Sequence, residues 1–524
     1  MVKHRLQISF AMLVSPYPRT SRWLLVVPAL FLAVFLALPF GVIVYRGAGV
    51  DAFIDSITNS NLQRVAWFTF WQTVISTMLT VVFALPVTYI VSRFRFRGRN
   101  VLLALITAPF LLPTVVVGTS LLALLPQQLH YTAFSIIAAH VLFNVAVVVR
   151  VVMPSWAHIS PELAYAAHTL GASTFRTFRT ITFPLIRPAL GFAATAVALF
   201  CFTSFGAVRI LGGPAFSTLE TEIYFRAVQL GDLDGAVAIS LIQTLFLAIV
   251  LYAWMRWTRT SSTLAVVHSH AASPSRTSHW VAISVVGFVS GTAVIAPLIA
   301  VAYRSATGWS QVWSRSTASS LFVSVRYAVI SAIIATLIGS CIALAVAYST
   351  TSARVIELIT SLPLMISAVT IGLGVLITFD TSPYAFRSAW WITPVAHSLI
   401  AIPLVVRIVL PLVRTIPQSL RDAAATLGSG PRVQWLTVDL PLMRRGIATA
   451  LALSVAVSIG EFGATSFLTR QSNETLPVTI ARLLSRPGES QHAQAYALAT
   501  LFFVFSIGAV FIAEVTRNKR NTTS

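Results

Sequence analysis

Long apolar runs alternate along this chain with short polar gaps, and the gaps hold most of its charge. A bilayer core about 30 Å thick needs roughly 20 apolar residues per helix. Runs of that kind recur near 23–45, 66–91, 101–125, 131–152, 189–210, 236–255, 280–303, 322–349, 356–379, 390–413, 446–468 and 494–515. The pattern predicts an all-α integral membrane protein of about twelve transmembrane helices. The first run follows Lys3 and Arg5 but begins only at Trp23, is too long for the apolar core of a signal peptide and lacks a small-residue cleavage site. It reads as a mature helix.

Composition agrees. Of 524 residues 56% are hydrophobic and 10% charged, and mean hydropathy is +0.83, too little charge to cover a soluble globule of this size. A net charge of +21 would suggest nucleic acid in a soluble protein. Here the arginines lie in gaps between apolar runs, where the bias of positive charge toward cytoplasmic loops accounts for them, so the expected partner is a lipid membrane and not nucleic acid. With the N-terminus inside, the cytoplasm receives Arg19, Arg22, the cluster Arg93, Arg95, Arg97 and Arg99, and the tail Arg517, Lys519 and Arg520. Both termini are then cytoplasmic, in the plasma membrane. Asp51, Asp55, Glu220, Glu222, Asp232, Asp234, Asp380, Glu474 and Glu489 fall on the outside. Cys201 and Cys341 sit inside apolar runs without disulfide or metal-ligand spacing, and His140 and His397 read as hydrogen-bonding core residues. No catalytic residue, metal site or cofactor is expected.

The chain repeats itself at an offset of 257 residues. "AHVLFNVAVVVRVVMP" aligns with "AHSLIAIPLVVRIVLP", pairing His140 with His397 and Arg150 with Arg407, and the register holds through Gly171/Gly428, Pro184/Pro441 and Phe205/Phe462. Six spans separate equivalent points, so the repeats are parallel, with a first half at 1–257, a Ser/Thr-rich cytoplasmic linker at 258–279 and a second half at 280–524.

Each half carries one polar island, "YAAHTLGASTFRTFRTITFP" from Tyr165 and "DAAATLGSGPRVQWLTVDLP" from Asp422. Alanine favours helix, Gly171 and Gly428 can adopt the left-handed conformation that ends one, Ser160 and Pro161 suit a helix start, and Ser173 or Thr174 in the first copy and Pro431 in the second suit the start of a second short helix. A rigid helix with a small-residue face, duplicated on the cytoplasmic side, is a mechanical contact for a two-fold partner. An amphipathic segment resting on anionic headgroups is the blander reading of either copy alone.

Both islands resemble the EAA loop of permease subunits of ATP-binding-cassette importers. The pattern falls on Tyr165, Ala166, Ala167, Gly171 and Pro184, and on Asp422, Ala423, Ala424, Gly428 and Pro441; Tyr165 replaces the acid in the first copy and Asp422 shortens it in the second. "SIGEFGATSFL", "SFGAVRILGGP" and "TLETEIY" are similar to the fused ferric-iron and thiamine importer permeases, and "GEFGA" also resembles sulfate and molybdate permeases. The resemblance implies the type I importer permease fold, a cytoplasmic ATPase dimer as partner, an extracytoplasmic substrate-binding protein, and ferric iron or thiamine as substrate. No GxxxxGK[ST] occurs, so ATP would be hydrolysed by another subunit.

Glu461 reads as an acid within the eleventh span, where ionisable groups face either a cavity or a partner; its repeat counterpart is Ser204. Ser204, Phe205, Glu461 and Phe462 are the candidate pathway residues, with a structural ion pair as the alternative for Glu461. Loops 211–235 and 469–492 are candidate surfaces for the two lobes of a binding protein. The rival function is an ion- or proton-coupled secondary transporter, which would concentrate acids or histidines at mid-membrane.

Overall fold

The computed structural model describes residues 20–47, 58–258, 272–348, 366–380, 386, 389–470 and 473–518, and every element within them is helical apart from one isolated bridge between Phe94 and Ala272. In the first half the elements are α1 (Leu24–Gly47), α2 (Ser60–Arg93), α3 (Arg99–Leu111), α4 (Thr114–Leu124), α5 (Ala133–Ala157), α6 (Pro161–Thr169), α7 (Thr174–Phe202), α8 (Gly206–Leu211), α9 (Leu219–Tyr224) and α10 (Leu233–Thr258). The second half holds α11 (Thr277–Arg304), α12 (Arg315–Tyr348), α13 (Ala368–Phe379), α14 (Ile392–Thr415), α15 (Gln418–Thr426), α16 (Trp435–Ile459), α17 (Gly463–Leu468), α18 (Leu476–Leu484) and α19 (Glu489–Asn518). Among the described residues nine helices are long and apolar enough to cross a membrane, ten if α3 and α4 form one broken span.

The repeat is visible in the element boundaries. Pro161–Thr169 and Gln418–Thr426 begin and end 257 residues apart, as do Gly206–Leu211 and Gly463–Leu468. Each half is built on a long helix, α2 or α12, packed against α5 and α7 or against α14 and α16. The first helix of each half also reaches across to the other half. α1 packs on α12 and α13 of the second half, and α11 packs on α3 and α4 of the first, so the halves are clasped reciprocally.

Three expected spans differ from the structure. The run 101–125 is not one helix: α3 and α4 meet at an angle of 101°. Leu112 is extended because the α conformation is disfavoured before Pro113, and Pro109 removes a further donor from the last turn. The runs 189–210 and 446–468 also break, at Thr203–Phe205 and Gly460–Phe462, leaving the six-residue helices α8 and α17 as separate pieces. Hydropathy cannot see these breaks because both sides are apolar. In the run 356–379 only residues 366–379 are described, and the part before 366 lies outside the described residues. Of the expected linker, residues 259–271 likewise lie outside them.

Candidate functional site

The two polar islands fold as near copies. Ser160 caps α6 by accepting from the Glu162 amide at 3.2 Å, with Pro161 in the first turn, and Ser173 caps the following helix through the Arg176 amide at 3.3 Å. α6 ends where the Ala172 N–H donates to Ala167 O at 3.0 Å and the Gly171 N–H to His168 O at 3.0 Å; α15 ends with the Ser429 N–H on Ala424 O at 3.0 Å and the Gly428 N–H on Ala425 O at 2.9 Å. Gly171 and Gly428 hold φ of +80° and +79°, the left-handed region that a side chain disfavours. A π turn follows in each copy, at Phe178–Thr182 and Trp435–Asp439, just ahead of Pro184 and Pro441, which have no N–H to donate. This gives the two prolines a structural reason to recur.

The outer faces of the hairpins are bare. Tyr165, Ala166, Asp422 and Ala423 are exposed and Ala167 and Ala424 half-buried. Leu170 and Leu427, one residue before each glycine, are 88% and 87% exposed. Neither leucine stands out in the sequence, since an apolar residue in an apolar chain draws no notice; the signal was its repetition at a polar turn. The hairpins differ in how they are anchored. Arg421 of α15 is buried against Asp439, with Nη2 and Nε at 2.8 and 2.9 Å from Oδ1, and its guanidinium lies 5.5 Å from the ring of Tyr348, whose hydroxyl donates to Asp439 Oδ2. The equivalent residues in the first half are Ala164, Thr182 and Val91, so α6 has no ion pair at this place.

The pathway candidates come together at the junction of the halves. Phe205 and Phe462, equivalent in the repeat, pack ring to ring with centroids 5.1 Å apart, both 5% exposed. α4 lies against α8 and α13 against α17 on either side of this pair. Space is short: a Cβ on Gly206 would fall 2.1 Å from Thr114 Oγ1, and one on Gly463 3.2 Å from Ala368 Cβ. Glu461 is not inside a helix as expected but in the break before α17, and its carboxylate is fully engaged. Oε1 accepts from the Ala464 amide at 2.8 Å, Oε2 from the Thr465 amide at 3.0 Å and from the Thr465 hydroxyl, and His397 Nε2 stands 3.1 Å from Oε2. Ser458 completes the cluster on His397 Nδ1 at 2.7 Å. Ser204 stands at the equivalent break in the first half, where His140 instead meets Ser76.

The expected outer loops are more deeply folded than loops. Residues 219–224 and 476–484 are helices, and the amides of the repeat pair Leu219 and Leu476 donate to Thr69 of α2 and Ser324 of α12. Glu220 and Glu222 are buried at 0% and 6% exposure, so they are not available to the docking surface expected of loop 211–235; Glu222 pairs with Arg226 at 3.1 Å and Glu474 with Arg482 at 2.9 Å. Asp234 and Glu489 remain exposed.

Two fused copies of one membrane bundle, each offering a rigid hairpin with a bare leucine and meeting at an aromatic junction, define a two-halved membrane transport component. The chain matches the family described as binding-protein-dependent transport system inner membrane component over residues 84–260 and again over 335–520, and it belongs to that family. It is a multi-pass inner-membrane permease subunit. Among its relatives, the thiamine transport system permease protein ThiP of Brucella abortus (strain 2308) is 28% identical, aligned over 89% of this chain and 90% of that one. ThiP of Escherichia coli (strain K12) is 25% identical over 94% and 95%. The sulfate transport system permease protein CysT of Salmonella typhimurium (strain LT2) is 30% identical but covers 42% of this chain with 86% of its own, as a relative with a single half would.

Proposed function

We propose that this chain is the membrane subunit of an ATP-driven importer that carries thiamine into the cytoplasm. In this reading halves at 1–257 and 280–524 are joined by a cytoplasmic linker at 258–279, and both termini are cytoplasmic. A cytoplasmic ATPase dimer docks on α6 and α15 through Tyr165, Ala166, Ala167, Gly171, Asp422, Ala423, Ala424 and Gly428, with Leu170 and Leu427 as the buried centre of each contact. Pro184 and Pro441 fix the π turns behind these helices. An extracytoplasmic binding protein delivers substrate on the opposite face. The observation that carries this reading is the duplicated hairpin, since two equal, rigid, partly apolar turns suit a two-fold soluble partner better than they suit lipid. Thiamine is favoured because the relatives named for it align over about nine-tenths of both chains.

At the junction, the Phe205 and Phe462 rings close the pathway. Glu461 acts as a positioning residue, holding the first turn of α17 and so the ring of Phe462; Ser204 is its weaker counterpart. The test is reconstitution in liposomes with the ATPase and the binding protein. ATP-dependent accumulation of radiolabelled thiamine is expected, with none of sulfate. Accumulation driven by an ion gradient without ATP would instead support a secondary transporter and overturn the proposal.

A further inference from the structure

Most buried acids in the described structure have a cationic partner. Glu222 has Arg226, Asp439 has Arg421, and Glu461 has His397 together with two backbone amides. Glu220 is the exception. It is fully buried on α9, Oε1 accepts from Gln243 Nε2 of α10 at 2.5 Å, and Oε2 accepts no hydrogen bond. Gln243 Oε1 and Ser240 Oγ, also at 0% exposure, lack partners as well. Ser367, the cap of α13, interacts with the carboxylate from the second half while also holding Thr370 Oγ1 at 3.0 Å, so it brings a hydroxyl but no positive charge. Two acceptors, Glu220 Oε2 and the Oε1 of its partner Gln243, are thus left unmet side by side in the interior, an arrangement that is costly unless a positive or N–H-bearing group is to fill it.

The place is suggestive. α9 and α10 of the first half touch α13 of the second here, so Glu220 sits on the seam between the halves. Tyr224 lies one helical turn from Glu220 on the same face of α9, and its ring packs on Phe205 at 5.5 Å and on Phe467 at 5.6 Å. That ring already attracts a cation: the Arg209 guanidinium stands 5.4 Å from its centroid. A carboxylate with an empty oxygen beside aromatic faces is the combination that recognises an organic cation.

We propose that Glu220, with Tyr224 and the Phe205 ring, receives the positive charge of the substrate as the seam opens, and that Glu461 does not. This rests on the importer reading and names the substrate class at its junction: a heteroaromatic cation, with the thiazolium of thiamine as the probe. In the described conformation the rings fill the seam and the site is closed.

The experiment uses the full complex in liposomes, with thiamine-loaded binding protein, and records thiamine accumulated and ATP hydrolysed in the same vesicles. For Glu220→Gln, the complex should assemble as wild type does while thiamine accumulated per ATP hydrolysed falls at least about tenfold. Glu220→Asp, which keeps the charge, should recover part of that ratio. An unchanged ratio in assembled Glu220→Gln complex overturns the proposal. Loss of the assembled complex in both variants also overturns it, by making the carboxylate a packing group. If wild-type complex neither hydrolyses ATP in response to the binding protein nor accumulates thiamine, it is the importer reading that has failed.

Discussion

Replacing Leu170 and Leu427 together with aspartate should release the ATPase from an otherwise intact membrane protein. Each leucine is almost wholly exposed on the free chain, so burying it against a partner contributes about 1.5–3 kcal/mol. Two such contacts are worth roughly 3–6 kcal/mol, and a carboxylate in a closed apolar contact adds a desolvation cost, so affinity should fall at least 100-fold at about 1.4 kcal/mol per decade. The side chains make no core contact in the free chain, so thermal stability in detergent should shift by less than about 0.5 kcal/mol equivalent. Titrating purified ATPase onto the variant and measuring retained hydrolysis in liposomes checks both. Wild-type affinity in the double variant would place the ATPase contact elsewhere.

The second large effect is expected at Arg421. Its removal in Arg421→Ala leaves Asp439 at 0% exposure without its cation, and breaking one side of a buried pair costs about 3–5 kcal/mol. That is a large share of the roughly 5–15 kcal/mol by which folded proteins are stable. The first half supplies the control, because Ala164 and Thr182 fill the same two positions without any ion pair. Arg421→Ala combined with Asp439→Thr should therefore regain most of the loss, to within about 1.5 kcal/mol of wild type. Thermal unfolding of the four proteins in detergent gives the double-mutant cycle. Additive losses would mean that the pair does not act as a unit.

Much of this molecule was legible before any coordinates. The 257-residue register, the helix-breaking role of Gly171 and Gly428 and the cap at Ser160 are local chemistry, which a sequence states directly; at the second short helix the sequence offers Ser173 or Thr174, and the Arg176 amide bonds to Ser173. What escaped was decided by contacts distant in sequence. The break at Leu112–Pro113 lies in an apolar run, so the count of hydrophobic residues continued through it although the proline before the turn offered a sign. Glu461 could be seen as an acid in apolar surroundings, but its engagement by α17 amides and His397 depends on a chain break that hydropathy does not register. Glu220 is the opposite case: its segment is polar enough to read as part of an accessible docking loop, and only the packing of α9 against α10 and α13 shows that the carboxylate is buried.

The central claim is that one chain presents two equivalent docking sites to one ATPase dimer. Native mass spectrometry of the complex isolated in mild detergent tests this most directly. The account predicts one copy of this 56.7 kDa chain bound to two copies of the ATPase, and loss of both together when Leu170 and Leu427 are replaced. A complex holding a single ATPase copy, or the chain running free of any ATPase under conditions that preserve uptake, would contradict it.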